Sequence, residues 1–228
     1  MPEREKTMLI NVPLFPLPNV VLFPEVVLPL HVFEPRYRQM VRHCIDNKLL
    51  LGVCHTEKLL HASAKPQTTE EALSSNQSTY KPCAVFTAGP VDLVEELGDG
   101  RMLINVDHNV RLQLRHEIQT LPFSIWQCEE LADQSLSAAE MAELRLGKEK
   151  VLRRLLTLTH NDEAVQKVLH DEFWQDMPAL QFSFAVTGLL GTEPDVKQQL
   201  LEMTDPRRRL TTVLALLNAV GKGPAPVA

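Results

Sequence analysis

Some of the titratable side chains are of the types found in metal sites. His170 and Glu172 suggest a helical zinc site, in which a Glu directly follows the first His and a second His lies one turn further on. Those two positions are occupied by Asp171 and Trp174. We therefore interpret this segment as a surface or interface helix, and the sequence predicts no metal site.

Two neighbouring Cys and His residues could form a thiolate–imidazole pair, the arrangement used by cysteine nucleophiles. Cys54 and His55 lie in an expected strand, where adjacent side chains point to opposite faces. His43 and Cys44 lie in an expected helix, where adjacent residues also do not face each other. Neither pair is predicted to be catalytic, and Cys44 is predicted to be a small core residue.

The sequence offers little for hydrolase chemistry. It has no Gly-x-Ser-x-Gly elbow, and the serines between Ser63 and Ser78 lie in a polar segment without a rigid scaffold. Asp92, Glu95 and Glu96 could form an acidic pair for general acid–base catalysis. Neighbours on a strand diverge, however, and charges beside a hairpin are usually solvated, so no catalytic residue is predicted.

Two glycine patterns could bind phosphate groups. A nucleotide-binding P-loop ending at Gly221-Lys222 would need Gly at position 216 and a hydroxyl at 223, but these are Leu216 and Gly223. The dinucleotide pattern that starts at Gly98 lacks its third glycine, because position 103 is Leu103. No cofactor is predicted.

Composition and charge argue against two further classes, nucleic-acid-binding proteins and membrane-spanning proteins. The net charge of −6 gives no general attraction to phosphate backbones, so nucleic acid is not an expected partner. The cationic run Arg207–Arg209 is predicted to be a solvated or salt-bridged face. Prolines interrupt the most apolar region, so no stretch reaches the roughly 18 residues of a membrane span. Four widely spaced cysteines and a polar N-terminus favour the cytoplasm.

The first half of the chain has the pattern of a β structure. Valine, leucine and phenylalanine with frequent prolines favour short strands from Ile10 to Val32. A helix is predicted from Pro35 to about Asn47, because apolar residues there recur at spacings of three and four residues. Residues 62–79 are polar and predict a mobile surface loop. The further predicted strands are Leu49–Cys54, Ala84–Phe86, Val91–Leu97, Arg101–Val106, Val110–Leu114 and Phe123–Leu131, with a hairpin turn at Gly98-Asp99-Gly100.

The second half has the pattern of helices. Ser137 and Glu140 form a capping-box pattern ahead of a long run without proline. Proline near the start and glycine after the end mark shorter helices. The predicted shorter helices are Asp162 to about Trp174, Pro178–Leu190, Pro194–Met203 and Pro206–Val220. We therefore predict an α+β chain with a β-rich subdomain over 1–131, a helical subdomain over 132–221 and a flexible tail over 222–228.

The proline-rich opening resembles a known family. The segment Val12-Pro-Leu-Phe-Pro-Leu-Pro-Asn-Val-Val-Leu-Phe-Pro24 and its continuation from Leu28 to Met40 closely resemble the start of the N-terminal domain of Lon proteases. The hairpin at Gly98–Val106 and the helix at Lys197–Glu202 are also similar to that family. The resemblance covers nearly the whole chain, and it implies a PUA-like β-barrel or sheet subdomain followed by a C-terminal α-helical bundle.

The resemblance also implies a function. Lon proteases carry an ATPase module and a Ser-Lys proteolytic domain after this region, and neither the phosphate loop nor the Asp-Gly-Pro-Ser-Ala-Gly type motif occurs here. We expect a stand-alone, non-catalytic module that recognises unfolded or partly exposed polypeptides, with a separate ATPase or protease as a further partner. If this chain were called an ATP-dependent protease, the name would come from its similarity to this one domain of Lon proteases. The alternatives are weak peptidase or protease-associated activity and RNA binding through the PUA-like fold.

The corner Phe33-Glu34-Pro35-Arg36-Tyr37 is the candidate binding site. It lies at a predicted strand-to-helix junction and brings aromatic rings and a cation close to an expected cleft, and such residues are common binding anchors. The predicted protein-binding residues are Phe33, Glu34, Arg36 and Tyr37. In the alternative interpretation, Phe33 and Tyr37 belong to the core, while Glu34 and Arg36 cap the helix or pair with each other.

Overall fold

The computed structural model describes residues 8–61 and 79–220. The predicted mobile loop over 62–79 lies outside these residues except for Thr79, which begins a strand, and the predicted tail over 222–228 lies outside them entirely. The chain divides into two compact units. One contains the described residues up to Leu131 together with Glu193–Leu201, and the other contains Ala132–Thr192 together with the residues from Glu202 onward.

The first unit is built mainly of β-strands. They are β1 (Ile10–Pro16), β2 (Val26–Val32), β3 (Leu51–Cys54), β4 (Thr56–His61), β5 (Thr79–Pro82), β6 (Val85–Gly89), β7 (Val91–Glu96), β8 (Met102–His108), β9 (Val110–Gln119) and β10 (Ile125–Glu130). A closed barrel has the order β1, β10, β9, β6 and β3, and it closes through the parallel pair β1 and β3. Strands β2, β8 and β7 form a separate sheet, and β4 pairs with β5.

Helix α1 (Pro35–Asn47) has the predicted bounds. Proline is its first residue, where a missing N–H costs nothing, and Lys48 ends it in the left-handed conformation with φ 53°. The spacing predicts that Ile45 is buried as well, but it is 36% exposed. The buried side chains of α1 are Tyr37, Met40, Val41 and Cys44. They join a core cluster that also contains Phe15, Val32, Leu51, Val53, Met102, Ile104, Val106, Phe123 and Ile125.

A helix that the sequence places in the helical half belongs to the first unit. Most of α6 (Pro194–Glu202) clusters with the barrel. The Gln198 side-chain amide donates to the carbonyl of Val85 at 2.9 Å, and the buried guanidinium of Arg111 donates to the carbonyl of Leu201 at 2.8 Å. These long-range bonds explain why the structural division differs from the sequence-based boundary, which assigned all of 132–221 to one subdomain.

The second unit consists of helices. They are α2 (Ala138–Leu158), α3 (Glu163–Leu169), α4 (Glu172–Asp176), α5 (Ala179–Gly188) and α7 (Pro206–Val220). The capping box of Ser137 and Glu140 is confirmed. The single helix predicted from Asp162 to about Trp174 is instead two, because the Asp171 side chain accepts the N–H of Phe173 and starts a new helix. Within the described ranges, none of the helices is both long and apolar enough to cross a membrane.

The three consecutive arginines at the start of α7, Arg207–Arg209, lie in two different environments. Arg207 forms ion pairs with Asp205 at 3.1 Å and Glu140 at 3.0 Å, as predicted for a salt-bridged face. Arg209 is also salt-bridged, to Asp133 at 2.6 Å, but the predicted surface position is wrong, because this side chain is 0% exposed. Residues two apart on a helix point roughly 200° apart, so three consecutive cations include both a surface and an interior position.

Arg209 is the largest fully buried side chain among the described residues. Its guanidinium donates to both carboxylate oxygens of Asp133, at 2.6 and 3.1 Å, and to the Ser183 hydroxyl at 2.6 Å. It also donates to the carbonyl of Met203 and stacks 3.7 Å from the ring centre of Phe184. A buried cation is tolerated only when it is paired and hydrogen-bonded, so this network joins three separate segments of the second unit.

Replacing Arg209 with Met is therefore expected to lower the free energy of unfolding by about 3–5 kcal/mol, because Asp133 loses its partner. Urea denaturation followed by far-ultraviolet circular dichroism measures this change. The matched control is Arg208→Met at the exposed neighbouring position, for which a change within about 0.5 kcal/mol is expected. Equal stability of the two variants would contradict the structural role of Arg209.

His108 holds the loop after β1 against the barrel. The Thr87 hydroxyl donates to the carbonyl of Leu22 at 3.4 Å, so its oxygen accepts from Nδ1–H of His108 at 3.0 Å; we assign this tautomer from the network. The other ring nitrogen, Nε2, has no hydrogen-bond partner in the part of the chain that the structure describes. Burial accordingly lowers the pKa of His108 to about 4.

This pKa predicts a pH-dependent stability. The unfolded chain binds the proton with an ordinary pKa of 6.5, so the contribution of His108 is fully present above pH 6.5 and is lost as the pH falls towards 4. We expect wild type to lose about 2 kcal/mol more than His108→Gln between pH 7 and pH 5, measured by urea denaturation. The exposed His116→Gln is the control, and an unchanged pH slope in H108Q would refute the assignment.

Candidate functional site

Two adjoining pockets open on the first unit, with volumes of about 340 and 220 Å³. Four residues line both of them: Pro16, Arg36, Tyr37 and Tyr80. We call the larger one the first pocket, the smaller one the second pocket, and the two together the groove. The shared residues border both pockets, and we call them the wall of the groove.

The structure brings all four sequence-predicted site residues to this groove. Phe33, Glu34, Arg36 and Tyr37 line the second pocket, and Arg36 and Tyr37 also line the first. Phe33 is half-buried where β2 leads into α1. The chain turns at this point because β2 has ended and Pro35 starts the helix, which places the four side chains on one corner.

Tyr37 is both a core residue and part of the groove wall. Its ring centre lies 4.1 Å from that of Phe15 and 4.6 Å from the guanidinium carbon of Arg36. Only 7% of the residue is exposed. Burial raises the pKa of the Tyr37 hydroxyl, and the neighbouring Arg36 cation partly opposes that rise. Tyr37 therefore serves the packing of α1 and also lines both pockets.

Glu34 and Arg36 form an ion pair in the groove. The Nε and Nη2 groups of Arg36 both donate to Oε2 of Glu34, at 3.1 and 3.0 Å. The two side chains are only 9% and 12% exposed, so water screens their attraction less than it would on an open surface. The Glu34 carbonyl also accepts the N–H groups of Tyr37 and Arg38, and the pair is thereby fixed to the first turn of the helix.

The first pocket contains residues that the sequence did not indicate. Tyr80 comes from β5, and Leu121, Phe123 and Trp126 come from the turn between β9 and β10 and from β10 itself. Leu121 is 79% exposed. The signal in the sequence is the apolar run Leu121-Pro-Phe123 between two strands, but its exposure depends on the fold.

The polar groups of the first pocket bind one another. The Trp126 Nε1–H donates to the Ser124 hydroxyl at 2.7 Å, and that hydroxyl donates to Oε1 of Glu117 at 2.7 Å. Lys81 pairs with Glu57 at 2.5 Å. The remaining lining is mainly aliphatic, aromatic and proline side chains. This arrangement is suited to non-covalent binding of apolar groups.

The candidate nucleophiles lie in the protein interior. Cys44, Cys54, Cys83 and Cys128 are all free and buried. Burial raises the pKa of the Cys44 and Cys128 thiols to about 12 and that of Cys54 well above its usual value. Among the described residues, no group of three or more His, Cys, Asp or Glu side chains is arranged to hold a metal ion.

Family comparison supports the resemblance found in the sequence. A protein-family model described as the ATP-dependent protease La (LON) substrate-binding domain matches residues 11–219. The Lon protease of Anaeromyxobacter dehalogenans is 23% identical over 212 residues, which are 90% of this chain. Lon protease 2 of Syntrophobacter fumaroxidans is 24% identical over 204 residues, or 88% of it. The chain spans only 23% of the length of each of these relatives.

Solved structures share the fold. A Lon N-terminal domain protein from Xanthomonas campestris superimposes with a TM-score of 0.56 at 21% identity, covering 90% of this chain and 98% of that one. The N-terminal domain of a Mycobacterium avium complex Lon protease gives a TM-score of 0.63 at 13% identity, with coverage of 92% and 98%. The α+β prediction is therefore confirmed. Because the family model matches residues 11–219, the chain belongs to the family of Lon substrate-binding domains.

Proposed function

We propose that this chain is a recognition module that binds apolar segments of unfolded or partly exposed polypeptides in the groove. The observation that carries the proposal is the groove at Tyr37, in which two mainly apolar pockets share Arg36, and Arg36 is held in an ion pair by Glu34 of the second pocket. Family membership supports it, because the family is described as substrate-binding. Apolar side chains that a folded protein would bury are removed from water when they enter such pockets, which is favourable.

We further propose that the module acts by binding and without catalysis. The Ser124 hydroxyl in the groove is engaged by Glu117 and Trp126, and all four thiols are buried. A separate ATPase or protease would process the polypeptide that the module captures. The proposed compartment is the cytoplasm, where buried free thiols remain reduced.

Testing the groove requires variants that leave the fold intact. Tyr37→Ala is unsuitable, because removing a buried aromatic side chain is expected to cost about 3–5 kcal/mol of stability. Tyr80 and Leu121 are better probes, since Tyr80 is partly exposed and Leu121 is 79% exposed. A matched control is available in the exposed Val27 and Val94, which belong to the same unit and do not line the groove.

The double variant Tyr80→Ala/Leu121→Ser is expected to weaken the binding of fluorescein-labelled casein, a natively unfolded protein, at least tenfold, as measured by fluorescence anisotropy. Such a loss corresponds to about 1.4 kcal/mol. The control Val27→Ser/Val94→Ser should bind like wild type, and circular dichroism should show both variants folded. Equal binding by all three proteins, or no binding by wild type at high micromolar concentration, would overturn the proposal.

A further inference from the structure

We propose that the groove selects an extended polypeptide segment with two large apolar side chains at positions i and i+2. This inference rests on the proposed function and makes it more specific. One side chain would enter the first pocket and the other the second. The main chain would cross the shared residues beside Arg36, whose ion-pair partner Glu34 lines the second pocket.

The chemistry of the two pockets requires apolar side chains in both. The first pocket is bounded mainly by Leu14, Pro82, Leu121, Pro122, Phe123 and Trp126. The second is bounded mainly by Phe15, Leu17, Leu30, Val32 and Phe33. A polypeptide that filled only one pocket would leave the other apolar surface in water, so occupancy of both is favoured.

The spacing is argued from the residues that the two pockets share. Arg36, Tyr37 and Tyr80 line both pockets, so the same side chains separate one pocket from the other. On an extended chain, side chains at i and i+2 point to the same side and lie about 6.4–6.8 Å apart, so we infer that one enters each pocket while the intervening residue lies over the shared side chains. Side chains at i and i+1 point to opposite faces and cannot enter both pockets.

An extended segment fits the groove better than a helix. A helix with its side chains is roughly 10–12 Å wide and needs a broad trough to bury one face. The second pocket holds only about 220 Å³ and is bounded by β2 on one side and the end of β1 on the other. Individual side chains can enter this space, whereas a helical cylinder would lie above it.

The ion pair explains how the main chain is held. Arg36 and Glu34 present a positive and a negative end side by side, within 3.0 Å of each other. A residue of an extended chain has a matching arrangement, since its own C=O accepts and its own N–H donates hydrogen bonds on the same side of the chain. This charge complementarity favours a neutral peptide unit at the wall, and a charged side chain there would meet one like charge.

Synthetic peptides in a Gly/Ser host test the spacing. Fluorescein-labelled peptides carry one Phe, or two Phe residues at i,i+1, i,i+2, i,i+3 or i,i+4, and anisotropy measures their affinity for the full chain. We expect the i,i+2 peptide to bind at least tenfold more tightly than the other spacings. Equal affinity at all spacings would overturn the inference, and tightest binding at i,i+3 or i,i+4 would replace the extended ligand with a helix.

Two single variants test whether each pocket receives one of the two Phe side chains of the peptide. Leu121→Ser alters only the first pocket and Phe33→Ala only the second, and neither residue is fully buried. In each variant the i,i+2 peptide should bind no more tightly than the one-Phe peptide does. If casein binding depends on Tyr80 and Leu121 but Phe spacing has no effect, only this inference fails; if neither casein nor any peptide binds, the proposed function fails as well.

Discussion

The burial of Tyr37 between the Phe15 ring and the Arg36 guanidinium is the contact on which the site depends. It fixes the first turn of α1 against the end of β1, with ring centres 4.1 Å apart. The same contact sets the position of Glu34 and Arg36, because both lie within three residues of Tyr37 at the helix start. The groove wall and the core of the first unit are therefore one packing arrangement, and its geometry is as rigid as the core.

Buried cations follow one rule in both units. A charge that is removed from water must be paired or must donate hydrogen bonds, or the fold loses several kcal/mol. Arg111 donates to the carbonyls of Leu131 and Leu201 at 2.8 Å, and Lys148 donates to those of Gln175 and Met177 at 2.6 Å. These side chains hold backbone segments that end or leave helices and strands. The Arg36–Glu34 pair follows the same rule at the groove.

Periodicity and turn chemistry predict much of this fold. Helix α1, the capping box at Ser137 and the strands from β6 to β10 could be predicted because local spacing and composition determine them. The split between α3 and α4 could not, since it depends on one side chain competing for a backbone N–H. The burial of Arg209 also could not be predicted, because its partners come from residues 26 and 76 positions away.

The site was half predictable for the same reason. Phe33, Glu34, Arg36 and Tyr37 are consecutive or nearly so, and a strand-to-helix corner can be predicted from sequence. Tyr80 and Leu121 reach the groove through the pairing of strands that are far apart in the chain, and no local pattern specifies that approach. Sequence therefore indicates one side of the groove, and only the fold supplies the other.

Hydrogen–deuterium exchange of the full chain with and without saturating casein tests the central claim most directly, because it detects the contacted surface without any substitution. The account predicts slower exchange in the segments that line the groove, which are residues 14–18, 30–37, 80–82 and 117–126. Exchange in α3, α4 and the exposed strand β7 should stay unchanged. Protection confined to the helical unit, with unchanged exchange along the groove, would contradict the account.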